Sequence, residues 1–397
     1  MKLPYDPANL RFWEDISKLP GYPVDDEIRL RRMIFESGAV YQIAKSLSES
    51  RADISAPVLV VMDSTPMRRG EESLKPLILA HLEKEGWKSE PLVLQPDDSG
   101  QTHAGMHTIA VVKQKIRPGI SVLAVGSGTI TDITKHACYL YEQETGQALP
   151  LVAFQTANSV TAFTSELAVM FVDGVKRTLP SRYPDALICD LETLRDAPYE
   201  MTAAGVGDLL SGYVSYADWY LAYRFGIDPT YSELTLRLIG PLDEILLAEA
   251  EGIRKGSLEA MAVLAKAISL AGIAMSLTHT TTPLSGYEHI ISHVLDMQAE
   301  ANNQPLAQHG TQVALASIIG VEVYRCFVEE FDPVEINLDQ CYPEADATRA
   351  KIEEAFVSID PSGKVAAECF SDYRQKLEAW RANRELHVNT LMDWETI

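Results

Sequence analysis

The sequence predicts an α/β N-terminal lobe built on a mostly parallel sheet, followed by an all-helical C-terminal lobe. Three observations carry that reading. Short apolar runs alternate with helical patterns up to about residue 190, and helical periodicity takes over from Pro198 onward. No internal repeat and no Pro/Ser-rich linker separates the two stretches, so lobes 1–195 and 196–397 are expected to pack directly, with a cleft between them.

The elements follow in order. A helix is expected over Glu27–Ser48. Ala56–Met62 is an uninterrupted apolar run closed by Asp63-Ser-Thr-Pro66, the pattern of a buried parallel strand and its turn. A helix at Glu72–Gly86, a strand at Glu90–Gln95, a helix near His103–Lys115 and a strand at Ser121–Gly126 come next. Further strands fall at Leu151–Gln155, Ala168–Val172 and Ala186–Cys189, the runs near 168–190 close enough together for a hairpin or an edge extension. Helical spacing then marks Met201–Tyr223, Ser232–Glu249, Ser257–Leu277, Gly286–Asn302, Gln308–Glu330, Asp346–Val357 and Pro361–His387.

Composition narrows the function. The chain has 397 residues, 46% hydrophobic and 23% charged, which excludes disordered and low-complexity classes. A net charge of −22 repels phosphate backbones and anionic membranes, so neither a nucleic acid nor a membrane is an expected partner. An anionic small substrate would need a helix N-terminus, a metal or local basic side chains. The most apolar segment, Leu258–Leu277, is interrupted by Glu259 and Lys266 and reads as a core helix. Five widely spaced cysteines without a CxxC give neither a disulfide framework nor a zinc knuckle. With no apolar leader at the start, the expected compartment is the cytoplasm.

Gly126-Ser-Gly-Thr-Ile-Thr-Asp132 follows a strand and opens a helix, where backbone N–H groups can receive a pyrophosphate. It departs from GxGxxG at Thr131, and a plain strand–helix turn uses the same residues. Asp63, at a strand end, can accept from both ribose hydroxyls and would favour NAD over NADP, although from the residue alone a turn former or helix cap is the commoner role. His289 and His293 are four apart on one helix face, able to share a metal or to set a ligand beside a proton donor. His103 and His107 have the same spacing without a Gly-rich or carboxylate context and are taken as solvated. Asp208 in AGVGDLL and His309 in QHG, each by itself more often structural, would together with His289 make an Asp/His/His set on three successive helical segments, which suits a divalent metal. No GxxxxGK[ST], HExxH, GxSxG or EF-hand loop occurs.

In this order the segments GSGTITDITK, TANSVTAFTSE, GVKRTLPSRYPDALICDLETLRDAP, AAGVGDLLSGYVSYADW, SGYEHIISHVLDM and QHG resemble the glycerol-1-phosphate dehydrogenase family. That family lies within the group of 3-dehydroquinate synthases, glycerol dehydrogenases and iron-type alcohol dehydrogenases. The resemblance covers roughly residues 55–325. It implies an NAD(P)-binding sheet and a divalent metal in the cleft, zinc first, with nickel or iron as alternatives. Asp208, His289 and His309 match the metal ligands; Gly126, Ser127, Gly128, Thr129 and Asp132 match the pyrophosphate loop; Asp63 matches the ribose acid. Thr156, Ser159 and Ser165 fall in the segment that passes the nicotinamide, and His293 matches a histidine near the substrate, a proton donor or relay. The implied reaction interconverts glycerol 1-phosphate and dihydroxyacetone phosphate, or a related hydroxy and keto pair, in a homo-oligomer. Family members carry Ser-x-Asp-Gly where this chain has Ser159-Val-Thr-Ala162, so the acid is missing at Thr161 and the substrate stays open. Two other readings stand beside it: a sugar-phosphate cyclase that regenerates its NAD, and a non-catalytic NAD-binding descendant.

Overall fold

A computed structural model describes residues 3–23 and 28–397. Six parallel strands form the main sheet: β1 (Arg32–Glu36), β2 (Val58–Asp63), β5 (Ser89–Leu94), β6 (Ser121–Gly126), β7 (Leu151–Gln155) and β10 (Ala186–Asp190). Between them run a short ribbon, β3 (Arg68–Arg69) with β4 (Glu72–Ser73), and an antiparallel hairpin, β8 (Leu167–Val172) with β9 (Val175–Pro180). The order across the sheet is β1-β10-β7-β6-β2-β5. From β2 the chain steps outward to β5, then crosses back to β6 and continues to β7 and β10. The carboxyl ends of β2 and β6 therefore flank a topological switch point, where open α/β sheets leave a crevice. Asp63 ends one strand and Gly126 the other.

Apolar runs without polar alternation form these strands because both faces are covered. Val58, Val60 and Met62 pack with Leu74, Ile78 and Leu82 of the helix Leu74–Lys84 on one face. Leu59 and Val61 pack with Ile109, Ile130 and Ile133 on the other.

The helix expected over Glu27–Ser48 is instead β1, a 3-10 turn at Ala39–Gln42 and a short helix Ile43–Glu49; Glu27 lies outside the described residues. Leu30, Met33 and Ile34 carry helical spacing, but parallel pairing of Arg32–Glu36 with β10 buries Met33 and Ile34 on opposite faces. Three other long helices are interrupted: at Leu210–Ser211, at Gly240–Pro241 and at Asn383. Pro241 has no N–H to continue the second of these.

From Tyr199 the described chain is helical. The helix Leu258–Ser276 lies at its centre and shares one apolar cluster with Met33, Ala153, Leu187 and Cys189 of the sheet. Two helices, Leu258–Ser276 and His309–Glu330, are long and apolar enough to cross a membrane by length and composition; the first is core, 72% buried, the second only 22% buried.

Candidate active site

Three helices bring one acid and two imidazoles together. Asp208 lies near the end of the helix Tyr199–Leu209, His289 in the first turn of Tyr287–Ala301, and His309 opens His309–Glu330. The first and third cross at glycines. A β-carbon on Gly207 would come within 2.3 Å of the Gly310 carbonyl oxygen, and one on Gly310 within 1.8 Å of the Ala204 carbonyl oxygen. Only at this approach does Asp208 reach His309.

Asp208 Oδ1 stands 3.5 Å from His289 Nε2 and 3.6 Å from His309 Nε2. Ligands at about 2.1 Å around a tetrahedral ion are about 3.4 Å apart, so this spacing suits one divalent cation. The remaining atoms are already engaged. Asp208 Oδ2 accepts from the Thr161 peptide N–H at 2.9 Å, whereas Oδ1, buried, finds no donor. His289 Nδ1 pairs with Glu288 Oε1 at 2.8 Å. His309 Nδ1 pairs with Ser292 Oγ at 2.9 Å, and the Ser292 hydroxyl donates to Gln312 Oε1. With both Nδ1 atoms spoken for, each Nε2 faces the gap, the arrangement that metal-binding histidines need. The donor set fits a metal.

Charge within the cluster is uneven. Burial opposes the His289 imidazolium, but the Asp208 and Glu288 carboxylates outweigh it and raise its pKa to about 9. His293, one turn on, is pushed down to about 3 by burial, with Lys176 and His289 adding to it. Burial, Lys176 and the two neighbouring imidazoles hold His309 well below its ordinary value. The His293 ring lies 6.2 Å from His289 and 5.7 Å from His309, centroid to centroid.

A cavity of about 630 Å³ runs from this cluster to the switch point. Its walls include Asp63, Ser127, Gly128, Thr129, Asp132, Thr156, Ser159, Thr161, Asp208, His289, His293 and His309. Ser127 caps the helix Gly128–Thr145 with extended backbone and no side-chain bond, leaving first-turn N–H groups toward the cavity. This fits a pyrophosphate. Gly128 has a packing reason as well, since a β-carbon there would meet Val160 Cγ2 at 2.3 Å.

Two expected cofactor residues do not line the cavity. The Gly126 carbonyl accepts from Thr156 N–H, and Ser165 is buried with its hydroxyl accepting from Leu167 N–H. Asp132 reaches the wall but is ion-paired at 3.0 Å with Lys135, whose ammonium also donates to the carbonyls of Ala162, Ser165 and Leu167. Burial pushes the Asp132 carboxyl up and the Lys135 ammonium down. The pair staples the 162–167 loop to the helix Gly128–Thr145.

Sequence reasoning missed several wall and support residues. Lys176 on β9 and Asp296 on the third turn of Tyr287–Ala301 form a buried ion pair across the cavity. Glu288 and Ser292 were visible only as neighbours of the histidines; the EH and SH dipeptides were the available signal. His103 is not solvated: it lines the cavity, 2.8 Å from Glu300 and 3.2 Å from Asp97. Its neighbour Gln101 exchanges two hydrogen bonds with the backbone of Leu306, just ahead of His309.

The family model for iron-containing alcohol dehydrogenases matches residues 34–198. The chain is 30% identical over 291 residues to a Bacillus subtilis strain 168 protein named glycerol-1-phosphate dehydrogenase, with NAD(P)+ as its named cofactor, spanning 72% of this chain and 69% of that one. A protein of the same name from Pyrococcus furiosus is 36% identical over 197 residues, 50% of this chain and 54% of the other. Among solved structures, glycerol dehydrogenase from Schizosaccharomyces pombe superposes with a TM-score of 0.56 at 15% identity, covering 92% of this chain and 94% of that one. NADH-dependent butanol dehydrogenase A from Thermotoga maritima gives 0.56 at 15%, covering 90% and 84%. At that identity these two report the fold.

Proposed function

The chain belongs to the glycerol-1-phosphate dehydrogenase family, within the iron-containing alcohol dehydrogenase group, and we propose that it interconverts glycerol 1-phosphate and dihydroxyacetone phosphate or a closely related hydroxy and keto pair. It is an NAD(P)-dependent alcohol oxidoreductase. The observation that carries the finer reading is the gap between Asp208 Oδ1, His289 Nε2 and His309 Nε2, with every other polar atom of the two rings already bonded.

In this reading Asp208, His289 and His309 hold one divalent ion, zinc by preference, with nickel or iron as alternatives. Bound there, the ion supplies Lewis-acid polarisation of the carbonyl, and the nicotinamide supplies the two-electron reducing equivalent. The chain's own residues do the rest. Thr161 N–H fixes the Asp208 carboxylate, while Glu288 and Ser292 fix the rings of His289 and His309. Asp63 takes the ribose hydroxyls, the first turn after Ser127 takes the pyrophosphate, and Thr156 and Ser159 orient the nicotinamide end. His293, in the cavity wall one turn from His289, accepts the hydroxyl proton at a ring nitrogen during oxidation and returns it during reduction. The sheet-bearing lobe 1–195 thus holds the cofactor and the helical lobe 196–397 the metal.

The reading includes a homo-oligomer, because Leu315, Ile318 and Ile319 on one helix and Ile290 and Leu295 on its neighbour leave an exposed apolar face. It places the enzyme in the cytoplasm, consistent with five free cysteines, two of them buried.

Zinc-loaded protein given NADH and dihydroxyacetone phosphate should oxidise NADH stoichiometrically, and chelation should abolish it. Absence of ketone-dependent oxidation with zinc, nickel and iron alike would sink the reading. Ketone turnover with no net loss of NADH would point to a cyclase.

A further inference from the structure

We propose that Asp218 is a positioning residue for the Asp208, His289 and His309 cluster: from a neighbouring helix, its carboxylate caps the turn that carries His289 and ties it to the helix that carries His309. The inference rests on the reading that the cluster holds a divalent ion.

The helix Tyr287–Ala301 begins at Gly286, which has extended backbone and no side chain to accept from the first-turn N–H groups. Asp218, on the helix Gly212–Arg224, supplies an acceptor instead, its Oδ2 taking the Tyr287 peptide N–H at 2.8 Å. A carboxylate suits that end of a helix, because the aligned peptide dipoles leave it positive. Only glycine permits the approach. A β-carbon at Gly286 would stand 2.3 Å from Asp218 Oδ2 and 2.7 Å from Glu288 Oε2. Asp218 Oδ1 meanwhile accepts from the Tyr324 hydroxyl, on the helix that His309 opens. One carboxylate thus bridges both histidine-bearing helices.

Two serines extend the grip. Ser211, Ser215 and Asp218 are spaced i, i+4, i+7 and share one face. The Ser211 hydroxyl lies 2.7 Å from the Asp208 carbonyl oxygen and 3.0 Å from that of Leu284, and Ser215 donates to the Pro283 carbonyl at 3.0 Å. Both serines are fully buried. Three polar side chains therefore hold the backbone of 283–287, immediately ahead of His289, and one of them also touches the Asp208 peptide. Without the Asp218 acceptor the first turn is free to fray. Glu288, which bonds both the Gly286 N–H and His289 Nδ1, would move with it and carry the ring away from Asp208.

The test uses Co2+ as the ion, because its ligand-field bands report the geometry of the donors around it. Competition with a chelator gives its affinity, and fluorescence titration gives that of NAD+. Asp218→Ala should weaken Co2+ binding by about tenfold and alter the bands, with NAD+ affinity unchanged. Asp218→Asn keeps an acceptor for the Tyr287 N–H and offers a donor to the Tyr324 oxygen. It should return Co2+ affinity to within about twofold of wild type, with wild-type bands. A residue serving stability alone would lower the melting temperature and leave the bands of the folded protein unchanged. Wild-type affinity and bands in Asp218→Ala therefore overturn the assignment, as does an asparagine variant no better than the alanine one; either result leaves the metal reading intact. If Asp218→Ala does not fold, Tyr324→Phe, which removes only the second bond, decides: about threefold weaker binding supports the assignment, and wild-type binding overturns it. A wild-type protein that binds no Co2+ overturns the metal reading, and this role with it.

Discussion

Lys75 Nζ lies 2.8 Å from Asp63 Oδ1 and is held at the same time by the backbone carbonyls of Asp63 and Thr65, at 2.6 and 2.5 Å. The strand-end acid that would repel a 2′-phosphate is thus partly neutralised by a lysine from the next helix. Lys75→Met should unmask that charge and lower the NADP/NAD ratio of kcat/KM by about tenfold. An unchanged ratio in a folded variant would reduce Asp63 to a turn residue.

The proposed metal set is tested directly by Asp208→Asn and His289→Ala. Each should abolish bound metal and turnover and leave NAD affinity within about threefold, since the cofactor walls lie on other elements. Metal content by elemental analysis and cofactor affinity by fluorescence separate the two effects. Full activity in either variant would remove that residue from the set.

Ser292→Ala should be milder. It frees the His309 ring without touching the proposed ligands and should weaken metal affinity by about tenfold or somewhat more. Competition with a chelator of known affinity measures it.

The Asp132–Lys135 staple predicts an asymmetric stability result. Lys135→Met leaves Asp132 alone in the core and should cost about 3–5 kcal/mol, whereas Lys135→Met/Asp132→Leu should recover much of it. Denaturant midpoints decide between this and a purely local role.

His387 gives the pH dependence. The ring is fully buried, with Nδ1 paired to Tyr342 Oη and Trp380 Nε1 and Nε2 to the Phe225 carbonyl, and burial holds its pKa below the ordinary 6.5. A depressed folded pKa means the neutral ring's contribution is complete above about 6.5 and is lost as pH falls through that value toward the folded one. The melting temperature of wild type should therefore drop faster than that of His387→Gln on acidification below about 6.5. Parallel curves would show that the ring titrates alike folded and unfolded.

The strands of the sheet were readable wherever both faces are covered, because an unbroken run such as Val58-Leu-Val-Val-Met62 leaves little else to form. β1 was not, since its neighbour β10 lies some 150 residues on and only that pairing overrides the helical spacing of Leu30, Met33 and Ile34. Asp208, His289, His293 and His309 were legible because acid and imidazole types in Gly-rich or paired contexts are chemically specific. Lys176, Asp296 and Lys75 carry no such local mark; each acquires its role from a partner on another element. The Thr161 departure bears on the backbone too, because its peptide N–H, not its side chain, reaches Asp208.

The crossing at Gly207 and Gly310 sets a tolerance on inheritance. Alanine at either position is the smallest coded change away from glycine that adds a side chain, and it would place carbon inside 2.4 Å of a backbone oxygen, with values of 2.3 and 1.8 Å. The helices would have to separate, and Asp208 and His309 ride on them. A lineage could exchange most of the apolar residues around this junction and keep its enzyme, yet a single methyl here would pull Asp208 and His309 apart while every residue proposed to bind an ion remained in the sequence.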